Sequence, residues 1–339
     1  MSKRDYRLDK AKGLLIFLVV VGHLLEEISG WSMGYSRVLL TVIYGFHMPA
    51  FVFLAGITAK SNRLAERVLV FLVFAVTAQP VYYWWTELFQ KPPDIEFDEP
   101  YWITWFLVAM VWWLLSLPLI ERFPRFMLAA SIAIGVLGGV QSIFEYQLSI
   151  GRAMTFFPYF VIGKLYGKQL LEWSAQLSVT KKLGMSALAV VPMAMFFLHD
   201  IDRRWFYGAR GFEFFDEAIP YGVGMRVLVA AGAIAMVIVL LAWSGLLPNS
   251  LILVGQRSLA IYLLHGLIIR AVEKPLDWFL DSTSGSITIL LCFVLAAVVT
   301  LLLAWSPFDR ALRWYSSGLA RFVTSRIALF TPSRSTARH

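Results

Sequence analysis

Long apolar runs separated by short polar segments set the pattern of this chain. Three of them, 13–28, 38–59 and 286–305, come close to or exceed the ~18–20 residues that carry a helix across a hydrocarbon core. Ten spans are readable: 12–29, 38–58, 67–86, 101–120, 126–143, 153–171, 183–199, 222–244, 251–270 and 285–305. Backbone groups in lipid must be paired within their own segment, so each span is predicted as a helix. The runs are continuously apolar instead of alternating, which excludes a membrane-embedded barrel. The pattern therefore predicts an all-α polytopic membrane bundle of about ten transmembrane helices over 1–306, followed by a basic tail, partly amphipathic or disordered, over 307–339. In that tail Leu312, Leu319, Phe322 and Ile327 interleave with arginines, as in a helix lying on the inner leaflet.

Composition agrees. Of 339 residues, 59% are hydrophobic and only 15% charged, which excludes a soluble enzyme. The net charge of +8 would suggest nucleic acid in a soluble chain, but its distribution gives another reading. With the spans assigned alternately from a cytoplasmic N-terminus, most Lys and Arg fall on the inner side and most Asp and Glu on the outer side. That asymmetry obeys the positive-inside rule and places both termini in the cytoplasm. Lys3, Arg4, Arg7 and the tail arginines then read as topology determinants and contacts to anionic lipid, with no nucleic-acid partner. The single cysteine, Cys292, excludes a disulfide framework and a cysteine-based metal site. The first apolar segment runs past a signal-peptide core with no small-residue cleavage pattern, so it reads as a retained helix.

Ionisable side chains inside spans are costly and point to function. Lys12 and His23 are eleven residues apart, about 16 Å along a helix and close to one face of it. A cation at the inner mouth and an imidazole near mid-depth thus share a groove, and Glu27, four residues on, can reach the ring from the outer side. His47 lies two residues before Pro49, whose missing N–H frees carbonyls at depth. Ser258, Tyr262 and His265 recur at spacings of four and three and give one helix a polar face. Arg152 opens the sixth span from the outer side, where a guanidinium suits a sugar, a carboxylate or a lipid phosphate. His199 sits at an outer boundary beside Asp200 and is set apart from these. Three histidines could ligate zinc, but they occupy different spans with no His-x-x-x-His spacing, so no metal is expected. Each histidine could equally serve as a hydrogen-bonding link between helices.

Taken together and in order, these residues resemble a known family. Asp9-x-x-Lys12-Gly13 followed by Val19-Val20-Val21-Gly22-His23 is similar to the first-helix signature of the membrane acyltransferase-3 superfamily, and closest to its fucose 4-O-acetylase-like branch. Segments 46–56 (Phe46-His47-Met48-Pro49 onward), Trp105-Phe106-Leu107, Arg152 to Gly163 and Gly255 to His265 resemble later motifs of that branch. One departure is Ala55-Gly56-Ile57, where the family often has Ser-Gly-Tyr.

The resemblance implies an enzyme that moves an acyl group, usually acetyl, from cytoplasmic acyl-CoA to a hydroxyl of a surface or exported polysaccharide or its lipid-linked precursor. Carried over residue by residue, His23 is the catalytic histidine and Lys12 its basic partner, with His47 and Glu27 beside them. Lys12, Lys60, Arg63 and Arg67 would receive the coenzyme phosphates, and Arg152, Trp105, Tyr159, Tyr262 and His265 the acceptor. The expected partners are acyl-CoA, a glycan or lipid-linked glycan, membrane lipids and polysaccharide-synthesis proteins. The expected location is the bacterial inner membrane. The rival readings are a proton-coupled transporter or flippase of a glycan-export pathway, which would use the same buried groups as a relay, and a non-catalytic assembly subunit.

Overall fold

The computed structural model describes residues 5–32, 34–91, 94, 96–140, 142, 145–280 and 285–330, without the side chains of 277–280 and 319–330. Lys3, Arg4, residues 331–339 and the side chains of Leu319, Phe322 and Ile327 lie outside the described part. The elements are α1 (Tyr6–Ile28), α2 (Gly34–Thr58), α3 (Leu64–Glu87), α4 (Trp105–Leu115), α5 (Leu117–Arg122), α6 (Pro124–Leu137), α7 (Ile150–Ala175), α8 (Val179–Leu198), α9 (Arg204–Tyr207), α10 (Ile219–Trp243), α11 (Ser250–Gln256), α12 (Ser258–Leu280), α13 (Gly285–Leu303) and α14 (Ser306–Phe330). Among the described residues there is no strand, and the fold is all-α.

Among the described residues, six helical stretches are long and apolar enough to cross a membrane: α2, α3, Trp102–Arg122, α8, α10 and α13. A seventh results if α11 and the first part of α12, bent by 81°, form one broken span. Exposed leucines such as Leu188, Leu290 and Leu301 give α8 and α13 an apolar outer surface, as a lipid solvent requires. Each of the ten spans read from the sequence overlaps a helix or a broken pair, but only six of them, or seven with the broken pair, are long and apolar enough to cross. The segment read as 101–120 breaks at Ser116, two residues before Pro118, and the helix in the one read as 126–143 ends already at Leu137.

Helix α1 occupies the centre. Asp5 caps it by accepting from the Arg7 N–H at 3.0 Å. Its apolar residues Leu15, Ile16, Val20, Val21 and Leu25 are buried against α2, α10, α11, α12 and α13. Helix α11 approaches α1 so closely that side chains are excluded from the contact. A Cβ on Gly13 would lie 2.3 Å from the Leu251 carbonyl oxygen, and one on Gly255 1.8 Å from that of Asp9. This backbone contact anchors the 81° bend and aims the start of α12 at the middle of α1.

Buried Arg226 ties down the far end. It donates to the carbonyls of Gly135 (3.0 Å) and Arg210 (3.0 Å) and to Thr155 Oγ1 (2.7 Å), with its guanidinium over the Phe212 ring. The Phe212 N–H donates to the Gly139 carbonyl at 2.7 Å. These bonds hold the segment between α8 and α10, including Tyr207, over the mouth of the bundle.

Candidate active site

Two cavities lie end to end along α1. The inner one, about 260 Å³, is lined by Lys12, Arg67, Thr58 and Ser258 and by apolar side chains such as Phe51, Phe106 and Met110. The outer one, about 270 Å³, is lined by His23, Glu26, Glu27, Tyr44, His47, Trp102, Trp105, Arg152, Arg203 and Tyr207. Val19, Met48 and Tyr262 line both, so one residue from each of three helices forms the partition. A third hollow at the inner end, lined by Asp9, Gln256, Asp309 and Arg313, shares Lys12, Ser258 and Leu259 with the inner cavity.

The three central histidines sit close together in different settings. The rings of His23 and His265 stack with centroids 5.4 Å apart, and Trp102 packs edge-on to His23 at 5.0 Å. His265 is wholly buried, and its Nδ1 donates to the carbonyls of Ile261 (3.0 Å) and Tyr262 (2.8 Å). The Nδ1 of His47 donates to the Ile43 carbonyl at 2.7 Å. The Nδ1 of His23 instead meets the Tyr44 hydroxyl at 3.2 Å. Tyr44 donates to Glu26, which also accepts from Tyr207 and, at 3.0 Å, from the Trp31 indole.

Trp102 holds a φ of 42°, in the left-handed region that disfavours a bulky residue. Strain of that kind is tolerated where packing over-determines it. Here the indole is wedged between His23 and the Arg270 guanidinium, the latter 4.1 Å above its ring. Arg270 pairs with Glu27 (3.2 Å) and Glu273 (2.8 Å).

Arg152 faces the outer cavity between the rings of Trp105 (4.9 Å) and Tyr146 (5.1 Å). Among the described residues no carboxylate lies within ion-pair distance of it. By contrast, Arg7 and Arg210 each hold one and Arg270 holds two.

Residues 5–307 match a protein family described as an acyltransferase domain. The chain belongs to the acyltransferase-3 family. It is similar to nodulation protein NolL of Sinorhizobium fredii (strain NBRC 101917 / NGR234), with 24% identity over 302 residues and 80% of each chain covered. It is also similar to nodulation protein NolL of Mesorhizobium japonicum, at 36% identity over 67 residues covering 19% of this chain and 18% of that one. No solved structure matches it. The protein is thus a multi-pass membrane acyltransferase.

Within that frame the residues singled out in the sequence divide. His23, Glu27, His47, Trp105 and Arg152 line the outer cavity, Tyr262 the partition, and Lys12 and Arg67 the inner cavity. His265 supports His23 from behind. Lys60 and Arg63 are exposed outside the inner cavity, and Arg63 is paired with Glu66. Tyr159 is buried beside a lateral cavity with Pro49, Thr155 and Arg226, which shares Tyr44, Phe156 and Phe206 with the outer one. Glu27 pairs with Arg270, while Glu26, three residues from His23, is the carboxylate that reaches the imidazole through Tyr44. Tyr262 gives its hydroxyl proton to the Ile103 carbonyl. Sequence reasoning missed Glu26, Tyr44 and Tyr207 as site residues. For Glu26 the i,i+3 spacing from His23 was a signal; for Tyr207, far along the chain, there was none. At the inner rim, the Glu121 carboxylate pairs with the Lys164 ammonium at 2.7 Å and accepts from the Ser61 hydroxyl.

Proposed function

We propose that this chain transfers an acyl group, acetyl in the first instance, from acyl-CoA to a hydroxyl of a surface or exported glycan or its lipid-linked precursor, in the bacterial inner membrane with Lys12 toward the cytoplasm. The pair of cavities meeting at Val19, Met48 and Tyr262 carries this reading, because it puts a basic opening and a histidine on one path through the bundle. The coenzyme phosphates are polyanionic, and Lys12 and Arg67 offer them cations at the inner cavity, with Lys60 and Arg63 outside it as a wider basic surround. The slender pantetheine arm fits the apolar walls beyond and carries the thioester to the partition.

The acceptor enters the outer cavity, where Arg152, Trp105 and Tyr262 hold it; Tyr159 acts one layer behind, packing near Phe156, and His265 keeps the His23 ring in place. The acceptor hydroxyl gives its proton to His23 as its oxygen attacks the thioester carbonyl. His47 and Glu27 flank this step in the cavity wall. Collapse of the tetrahedral intermediate expels the coenzyme thiolate, which recovers the proton from the imidazolium. The products are the ester and free thiol. No metal enters the reading, and a polysaccharide-synthesis complex would deliver the acceptor.

The test is His23→Ala in cells lacking the native gene. The variant inserts and folds but leaves the exported glycan without ester groups, measured by mild alkaline release. Undiminished ester content would overturn the assignment. A transporter would instead export less glycan while leaving its ester content per sugar unchanged.

A further inference from the structure

Three side chains from α2, α9 and the turn after α1 converge on one carboxylate, and the proposed reaction does not account for it. Glu26 accepts from Tyr44 on α2, Tyr207 on α9 and Trp31 just beyond α1. A tyrosine has a single hydroxyl proton, and Tyr44 spends it on Glu26. What remains toward His23 is a lone pair, 3.2 Å from Nδ1. The hydrogen bond between them therefore requires the proton on His23 Nδ1, which leaves Nε2 bare.

We infer that Glu26 and Tyr44 are positioning residues that complete His23 as a base. They set its tautomer with Nε2 as the free lone pair and stabilise the imidazolium that forms when it takes the acceptor's proton. This rests on the reading of His23 as the base. The logic is that of a base oriented by a third group, with a phenol inserted between imidazole and carboxylate. The contrast within the site supports it. His47 and His265 also have Nδ1 fixed, but by main-chain carbonyls, which carry no charge to offset a new cation. The phenol cannot swing away, since its ring is buried edge-on to His47 (5.0 Å) and Trp31 (5.5 Å) and packs on Tyr207 at 5.5 Å. Tyr207 and Trp31 fix the carboxylate in turn, so the segment between α8 and α10 that roofs the outer cavity also holds the far end of the chain of bonds.

The test uses full-length protein in nanodiscs with ¹⁵N-labelled histidine, and thiol release from acetyl-CoA with water as acceptor. In the wild type, His23 (identified by loss of its signals in His23→Gln) reads as a protonated Nδ1 and a bare Nε2. Tyr44→Phe scrambles that assignment and lowers kcat by about 100-fold, while KM for acetyl-CoA stays within about two-fold. Glu26→Gln lowers kcat similarly, and the double variant is no worse than either alone, because the two act as a unit. A bare Nδ1 in the wild type, or Tyr44→Phe with wild-type kcat per folded molecule, overturns the inference while leaving His23 as the base. Wild-type release no faster than that of His23→Ala overturns the proposed function instead. A purely structural role would lower the unfolding temperature and leave kcat per folded molecule and the tautomer as they were.

Discussion

At the scale of single residues, the carboxylate next to His23 is selected by its partners: Glu27 pairs with Arg270, which leaves Glu26 to Tyr44. Lys12, His23 and the Ser258–Tyr262–His265 stripe could be placed by helical arithmetic, and they do line or back the cavities. The choice between Glu26 and Glu27 could not be made that way, because i+3 and i+4 are both neighbours of residue i on a helix. Arg270, more than two hundred residues away, decides it by drawing Glu27 to itself. Arg152 belongs to the same scale. Its guanidinium is stacked on both sides and has no carboxylate of its own among the described residues, so it is available to the acceptor. Arg152→Ala should therefore abolish esters on the exported glycan while thiol release from acetyl-CoA to water persists within about three-fold. Arg152→Lys should rescue the glycan reaction only weakly, because an ammonium lacks the planar fork that stacks and binds bidentately. Loss of both activities together in Arg152→Lys would show that the residue serves the chemical step.

At the scale of elements, apolar run length was enough to locate the helices, since backbone pairing in lipid leaves no other choice. Breaks were not legible. The run 251–270 carries no proline, yet it bends by 81° between Gln256 and Ser258. The cause is tertiary. Gly255 lies against the α1 backbone and Arg257 donates to the Ala304 carbonyl at the end of α13, so the chain must turn between two fixed points. The bend is what brings Tyr262 to the partition and His265 under His23. Gly255→Leu should then fail to give folded protein, since its Cβ alone would meet a carbonyl oxygen at 1.8 Å. Overpacking of this severity costs at least ~3 kcal/mol. Gly224→Ala in α10, with open space around it, should be neutral or stabilising by up to ~1 kcal/mol. Thermal unfolding in detergent, followed by monodisperse yield, reads both. Equal stability of the two variants would remove the backbone contact as the cause of the bend.

At the scale of the whole molecule, a list of charges does not say which basic side chains reach the interior. Lys60, Arg63 and Arg67 look alike in a list of charges, yet only Arg67 lines the inner cavity, because it sits inside the first turn of α3 whereas Lys60 and Arg63 lie in the exposed turn before it. If the inner cavity receives the coenzyme phosphates, these three residues must respond differently to salt. Arg63 is exposed and already engaged by Glu66, and exposed charges are screened over about 8 Å at physiological ionic strength. Arg67 is half-buried and its field is screened less. Arg67→Gln should raise KM for acetyl-CoA about ten-fold, equivalent to ~1.4 kcal/mol, and the ratio to wild type should persist from low to high salt. Lys60→Gln and Arg63→Gln should raise it no more than about two-fold at low salt, with the difference vanishing at high salt. Repeating the comparison with a coenzyme analogue that lacks the ribose phosphate separates attraction to that phosphate from contact with the pantetheine arm. A phosphate contact at Arg67 predicts that the wild type loses affinity for the analogue and the variant does not. Equal responses of all three residues to salt would mean that the coenzyme is held at the exposed rim and that the inner cavity serves something else.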